Sequence, residues 1–400
     1  MLTRRYFVRA SAIAVAGIGA APSWLIRAAT PGETKGKILI AIFQRGAADG
    51  LNIVVPHFEK RYYELRPTIA VQPPGKDNGA IDLDGRFGLH PSLQSLKPFW
   101  DSGQLAIVHA AGSPDGNRSH FEAQDSMESG TPGRTTDDGW MNRALAPLTA
   151  DTSPVRAVAI GAKMPRTLRG DRGAIAVSDL QQFRVRNEGA SSILESMYAK
   201  AADAQLVAQG KRTFDALKTI ETVSKAPYTP ANGAQYNGEF GNGLRQIARL
   251  IKANVGVEAA FAEIGGWDHH SNENGQLPPL VQQYGNSLAA FAKDMGDRME
   301  DIVLVTMSEF GRTAAEDGNG GTDHGHGNVM FVFGGALRGG RMYGRWPGLE
   351  AEQLFERRDL AVTTDFRSVL GELVSGHLRQ RADAAFPGFT SSERLGLLRT

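Results

Sequence analysis

The sequence predicts an α/β protein: a three-layer, doubly wound sandwich around a mostly parallel central sheet. Three observations predict it. Short, almost wholly apolar runs such as Lys37–Phe43 and Ile302–Met307 read as strands covered on both faces. These runs alternate along the chain with amphipathic, helix-spaced stretches. The 47 glycines among 400 residues ask for many tight loops, as sheet-based enzymes have and helical bundles do not.

Composition narrows the function classes. Lys and Arg number 44 against 43 Asp and Glu, a net charge of +1, which excludes bulk electrostatic attraction to nucleic acid or a membrane surface. The chain has no cysteine, which excludes disulfides, thiolate metal ligands, a cysteine nucleophile and a lipid-attachment cysteine. At the N-terminus, Thr3-Arg4-Arg5-Tyr6-Phe7-Val8 is similar to the twin-arginine export consensus, and a weakly apolar run, Ala10–Ala21, follows it. Gly17, Gly19 and Pro22 leave that run too short and too mild for a stable membrane span. Residues 1–35 are therefore read as an export signal and linker, cleaved near Ala20 or Ala29. The expected location is periplasmic or secreted, with the twin-arginine translocase as partner during export. Export in the folded state is weak support for a metal or cofactor.

Residues 36–400 read as one domain. Lys37–Phe43 is the first core strand, and it runs into the glycine-flanked turn Gln44–Gly50, which carries Asp49; Leu51–Val55 is a further apolar run closed by Pro56. His90-Pro91 opens a helix with Leu93, Leu96 and Phe99 on one face. Leu105–Val108 is the next core strand. After it, Ser119 and Glu122 have capping-box spacing and place Ser119 at a helix N-terminus. Val155–Ile160 and Ala174–Val177 read as short strands, and about 190–255 as a helical excursion whose last helix, Phe240–Asn254, buries Leu244, Ile247 and Ile251. Val257–Ile264 is a strand, Leu280–Met299 a helix, Ile302–Met307 and Val329–Phe333 strands, and a helix starts at Asp365.

Ligand-type side chains gather in the loops at strand ends, where open α/β sheets bind ligands. They are Asp49, Ser119, Asp268-His269-His270, and Glu309 with Asp323, His324 and His326. Five of the nine histidines (120, 269, 270, 324, 326) lie in these loops. Carboxylates and imidazoles without thiolates suit an N/O metal site. Each residue also has a structural reading. Asp49 fits a turn, Ser119 a cap, His120 packing, and Glu309 an ion pair with Arg312. His269 and His270 are adjacent and point opposite ways on extended chain, so one of them is free to be structural.

Several segments together resemble a family of exported bacterial proteins known as domain of unknown function 1501. They are Gln44–Gly50 with Pro56, Arg118–Asp125, Gly266–Asn272, Ser308–Thr313, Gly321–Gly325 and Thr364–Val369. That family resembles the alkaline phosphatase and sulfatase superfamily in fold. The resemblance implies Asp49 as first metal acid, Ser119 as nucleophile, Asp268 and His270 on one metal, and His324 or His326 as the last histidine. Glu309 stands where the superfamily has an Asp-His pair, which opens the way to a one-metal site or a changed metal. No cysteine and no Ser-x-Pro-x-Arg nucleophile signature occurs, so sulfatase chemistry by that route is not expected.

The sequence thus leads to an exported metal-dependent hydrolase of a small anionic phosphate or related ester. It would use one or two divalent ions of the Zn, Mn, Mg, Ca or Fe kind, with Arg118 or Arg312 on the ester oxygens. The rival is a non-catalytic periplasmic binding or assembly protein that keeps the fold around a structural or vestigial metal site.

Overall fold

The computed structural model describes residues 36–134, 136–183, 196–198, 204–391 and 394–399. The export-signal reading of residues 1–35 and the first part of the helical excursion lie outside the described residues. Of that excursion the described part contains helices Ala204–Lys225 and Gly238–Lys252. Among the described residues no helix is long and apolar enough to cross a membrane.

The strands in chain order are β1 (Ile38–Gln44), β2 (Val54–Val55), β3 (Ile81–Asp82), β4 (Gly88–Leu89), β5 (Leu105–Gly112), β6 (Ala157–Ile160), β7 (Ile175–Val177), β8 (Ala259–Ile264), β9 (Ile302–Ser308), β10 (Asn328–Gly334), β11 (Arg341–Tyr343) and β12 (Thr364–Asp365). β2, β3 and β4 form a small separate sheet. The others make a nine-stranded sheet in the order β11-β5-β10-β9-β1-β8-β6-β7, with β12 beside β5. Its pairings are parallel except those of β10, which runs against both β5 and β9. This is the mostly parallel α/β architecture that the sequence implies.

The unbroken apolar runs have a direct cause. Successive side chains of a strand point to opposite faces, so a strand covered on both faces needs apolar residues at every position. In β1, Ile38, Ile40 and Ile42 enter one core while Leu39, Ala41 and Phe43 enter the other. β9 divides likewise, with Ile302 and Leu304 against Val303, Val305 and Met307. Helices Gly238–Lys252 and Glu273–Met295 cover the first face through Leu244, Ile247, Val281, Leu288 and Phe291. Met127, Trp140, Phe366, Leu370 and Leu373 cover the second, and the sandwich has three layers.

One run takes a form that the sequence left open, and one helix differs from the expectation. The run Leu51–Val55 is a one-turn helix, Gly50–Ile53, followed by β2, because Asp49 caps it by accepting from the amides of Leu51 and Asn52. The helix before β9 starts at Glu273, ahead of Pro278 and Pro279, rather than at Leu280.

Register brings the loops together. Gln44, the last residue of β1, pairs with Ile264 at the end of β8 and with Ser308 at the end of β9. Antiparallel β10 begins at the same edge, Asn328 opposite Ala111 near the end of β5. Loops 45–49, 113–119, 265–272 and 309–327 therefore emerge side by side.

Candidate metal centre

The floor of this edge is a tight turn. Gly46 has φ +115°, and a Cβ there would lie 2.9 Å from the amide nitrogen of Asp268, so the β1 turn packs against the β8 loop only as glycine. The Ser308 hydroxyl ties the turn to β9, donating to Gln44 O (2.7 Å) and accepting from the Ala48 amide (3.1 Å).

Above this floor three imidazoles and a carboxylate converge. His120 Nε2 lies 3.0 Å from His324 Nε2, and His270 Nε2 lies 3.1 Å from the same atom. Asp268 Oδ1 is 2.9 Å from His270 Nε2 and 3.3 Å from His324 Nε2, and Asp268 Oδ2 is 3.4 Å from His120 Nε2. Two ligands bonded tetrahedrally to a zinc-sized ion sit about 3.3 Å apart. A second set, His270, Asp323 and His324, also has its ligand atoms within 4.8 Å of one another, and it shares His324 with the set His120, Asp268 and His324. Asp268 and His270 are 43% and 46% exposed, so the cluster faces solvent.

The orientation of two rings is fixed from behind. His120 Nδ1 lies 2.8 Å from Glu309 Oε1, and His324 Nδ1 lies 3.1 Å from the carbonyl of Arg118. Both partners only accept, so both Nδ1 atoms carry the proton, and whenever both rings are neutral their Nε2 lone pairs face each other at 3.0 Å. Two lone pairs at that distance repel unless something positive lies between them, either a proton or a metal ion. The donor set fits a divalent ion bound by nitrogen and oxygen.

Glu309 is buried and lies behind the cluster rather than in it. Its Oε1 accepts from His120 Nδ1, Gln124 Nε2 (2.9 Å) and the Gly46 amide (2.9 Å), and its Oε2 lies 3.0 Å from Ser308 Oγ, as the alternative acceptor for that hydroxyl's single proton. Burial alone would raise its pKa, but these hydrogen bonds, led by His120, outweigh it and hold the carboxyl below its ordinary value. The same Glu309 bond raises the pKa of His120. A carboxylate behind a ligating histidine is the usual outer partner in metal sites.

Arg312 has a comparable place. It is fully buried, its Nε donates to Thr322 Oγ1 (3.0 Å), its Nη2 to Thr322 O, and its Nη1 to Asp268 Oδ1 (2.6 Å). The pairing that the sequence suggests with Glu309 is thus replaced by one with Asp268. Burial opposes ionisation of Asp268, but the Arg312 bond and charge hold its pKa low.

Other expected residues stand elsewhere. Asp49 is buried beneath the edge, where Arg66 Nη1 binds its Oδ2 at 2.7 Å, with 0% and 3% side-chain exposure. Arg66 also donates to Asn52 Oδ1 (2.8 Å) and to the carbonyls of Thr313 and Ala314, so a guanidinium neutralises the acid that was expected to hold a metal. Glu273 shares this buried nest; burial and then the nearby Asp49 push its pKa well up. His326 is buried and stacked on Phe355, ring centroids 4.3 Å apart, outside both ligand sets; burial depresses its pKa to about 4. Of the adjacent pair, His270 reaches the cluster, and His269 is buried with Nδ1 unpartnered. Arg118 is taken by Asp359 (Nε to Oδ2, 2.9 Å) and Glu356 (2.7 Å), and only its carbonyl touches the cluster.

Ser119 is the N-cap residue of helix His120–Ser129, as the sequence suggests, but its side chain makes no cap bond. The capping box does not form because Asn117 intervenes: its Oδ1 accepts from the Ser119 amide (2.7 Å) and its Nδ2 donates to Glu122. The Ser119 hydroxyl is exposed, one residue before His120. Sequence reasoning left His120 with a packing role equally open and did not single out Gln124, Arg66 or Glu273. The capping-box spacing placed the chain turn at residues 119–120, and the gathering of five histidines in the strand-end loops was the other signal pointing to His120.

Fold and edge together define a three-layer α/β protein with a nitrogen- and oxygen-donor cluster at the carboxyl ends of its parallel strands. The chain belongs to the family described as Protein of unknown function (DUF1501), which matches residues 36–381. It is similar to the solved structure of alkaline phosphatase from the Antarctic bacterium TAB5, at 10% identity over 75% of this chain and 92% of that one, TM-score 0.32. It is also similar to Ps i-CgsB in complex with k-i-k-neocarrahexaose, at 11% identity over 87% of this chain and 73% of that one, TM-score 0.34. No curated protein matches the chain.

Proposed function

We propose that the protein is a metal-dependent hydrolase of a phosphate or related anionic ester. The observation that supports this is the solvent-facing convergence of His120, Asp268, His270 and His324 beside an exposed, uncommitted serine hydroxyl. His120, Asp268 and His324 would hold one divalent ion, with His270 and Asp323 beside it in a second set that shares His324; Asp49 is taken by Arg66. The imidazoles favour zinc or iron over manganese, calcium or magnesium. A bound ion would supply Lewis acidity and lower the pKa of a hydroxyl beside it.

The chain's own residues divide the remaining work. Ser119 Oγ is the candidate nucleophile, at the first turn of a helix whose N-terminal dipole favours negative charge. Glu309 and the Arg118 carbonyl fix two imidazoles with Nε2 forward, and Arg312 fixes Asp268. Arg118 and Arg312 are both committed, so their expected place on the ester oxygens gives way to positioning. That commitment also favours the second reading, a non-catalytic binding protein with a metal site, because it leaves the ester charge without a guanidinium clamp.

The test is elemental analysis of protein purified without chelator, followed by a phosphoester screen on parent and Ser119→Ala. About one ion per chain and turnover lost in Ser119→Ala supports the hydrolase. A bound ion with no turnover, or turnover unchanged by Ser119→Ala, overturns it. We further infer export by the twin-arginine route from Arg4-Arg5 and its apolar flank. Retention of an Arg4→Lys/Arg5→Lys variant in the cytoplasm supports this, and unchanged export refutes it.

A further inference from the structure

Beside the metal edge the sheet carries a second concavity, of about 580 Å³. It lies at the carboxyl ends of β6, β7 and β8, bordered by Gly161, Ser178 and Gly265, and helices Gly238–Lys252 and Glu273–Met295 wall it through Glu239, Asn242 and Gln283. Both its position and its size are those of a ligand crevice.

Its glycines are the feature that the fold leaves unexplained. Gly161, Gly243 and Gly265 all line the crevice, and none has a positive φ. A Cβ on Gly265 would meet nothing within 4 Å, one on Gly161 only Lys163 O at 4.0 Å, and one on Gly243 only Ile160 Cγ2 at 3.6 Å. Neither a turn nor a close approach requires them. Gly243 moreover sits inside a 15-residue helix, where glycine is the costliest residue after proline. What the three positions share is that any side chain there would project into the crevice and fill it.

The lining chemistry selects the ligand. The lining has two carboxylates, Glu239 and Glu263, three amides, Asn242, Gln246 and Gln283, and the Ser178 hydroxyl, with no Lys, Arg or His. An anionic group is disfavoured. Glu263 is already bound by Arg45 (Nε to Oε2, 2.6 Å), and buried Gln246 accepts from the Leu180 amide through its Oε1 (2.8 Å), which among the described residues leaves one uncommitted carboxylate beside the Asn242 and Gln283 amides, groups that both donate and accept. Hydroxyl groups satisfy such a set, because they too donate and accept. A cation would leave the amide donors unmatched.

We infer that this crevice binds an uncharged, hydroxyl-rich body of the sugar type, which on the hydrolase reading above is the part of the substrate away from its ester. The two sites share the end of β8, which supplies Ala262–Gly265 to the crevice and leads into Asp268 and His270.

The test is binding without turnover. Metal-free full-length protein is presented to an array of neutral oligosaccharides, with inorganic phosphate and tetramethylammonium as counter-probes, and compared with Gly243→Leu and Glu239→Gln. A side chain at 243 fills the crevice while favouring the helix, so the fold persists and circular dichroism checks it. The expected result is binding of at least one neutral glycan, weakened roughly tenfold or more by either variant. No glycan bound, glycan binding indifferent to Gly243→Leu, or tetramethylammonium bound in its place overturns the inference. Because metal and turnover are absent, glycan binding with no hydrolase activity would sink only the hydrolase reading, and ester hydrolysis with no glycan binding only this one.

Discussion

Glu309 holds His120 by its Nδ1 at 2.8 Å, and so decides which ring nitrogen faces the metal edge. The residue expected to bind a metal instead orients a candidate ligand, His120. Glu309→Gln leaves a side chain of the same shape but removes the charge that makes His120 a stronger donor. Metal affinity should fall roughly 10- to 100-fold. Competition with a calibrated chelator measures it, and an affinity equal to the parent's would show that Glu309 only packs.

Gly46 donates its amide to the same carboxylate at 2.9 Å from φ +115°. Gly46→Ala forces a Cβ against the Asp268 amide in a backbone region that L-residues avoid. It should destabilise the protein by about 1–3 kcal/mol and weaken metal binding together. Urea unfolding with metal titration checks both, and loss of one without the other would separate the turn from the cluster.

Arg66 and Asp49 form a buried pair whose removal from one side strands a charge. Arg66→Met should destabilise the fold by about 3–5 kcal/mol. Where folded protein is recovered, its metal content should match the parent's, because Asp49 lies outside the ligand sets. Lost metal in a folded Arg66→Met protein would return Asp49 to the site.

His109 sets an acid limit. Its Nδ1 accepts from the Ala110 amide (2.9 Å) and its Nε2 meets Val54 O (3.1 Å), and burial lowers its pKa from 6.5 to about 4. The unfolded chain takes up the proton near 6.5 and the folded chain only near 4. Between those values the unfolded state holds more protons, so stability is fully present above 6.5 and falls as pH drops, by about 3 kcal/mol at this one group. Denaturation at pH 7 and pH 5 should show the fall in the parent and a shallower one in His109→Gln.

The strands were legible because a sheet buried on both faces forces an unbroken apolar run, as in β1 and β9. That Asp268, His270 and His324 share one edge was legible for the same reason, since they follow such runs. What was hidden depends on contacts between distant segments. Nothing near Asp49 shows that Arg66 will neutralise it, and nothing near Glu309 shows that His120, 189 residues away, will lie against it. Adjacent His269 and His270 differ only in which way the loop turns. His324 and His326 are likewise separated only by the Phe355 ring that stacks on the second.

The reversed direction of β10 bears on when the cluster assembles. Because β10 returns beside β9, the excursion 309–327 closes locally and brings the backbone of Asp323 and His324 to the edge, while the His324 ring still waits for the Arg118 carbonyl. His120, 204 residues from His324, and Asp268, 56 residues from it, arrive only when the strands that carry them have joined the sheet. Contacts of such sequence separation carry the largest loop-closure cost. No short stretch of nascent chain holds the full donor set, so ion capture would mark the last stage of folding, and its rate would report completion of the sheet.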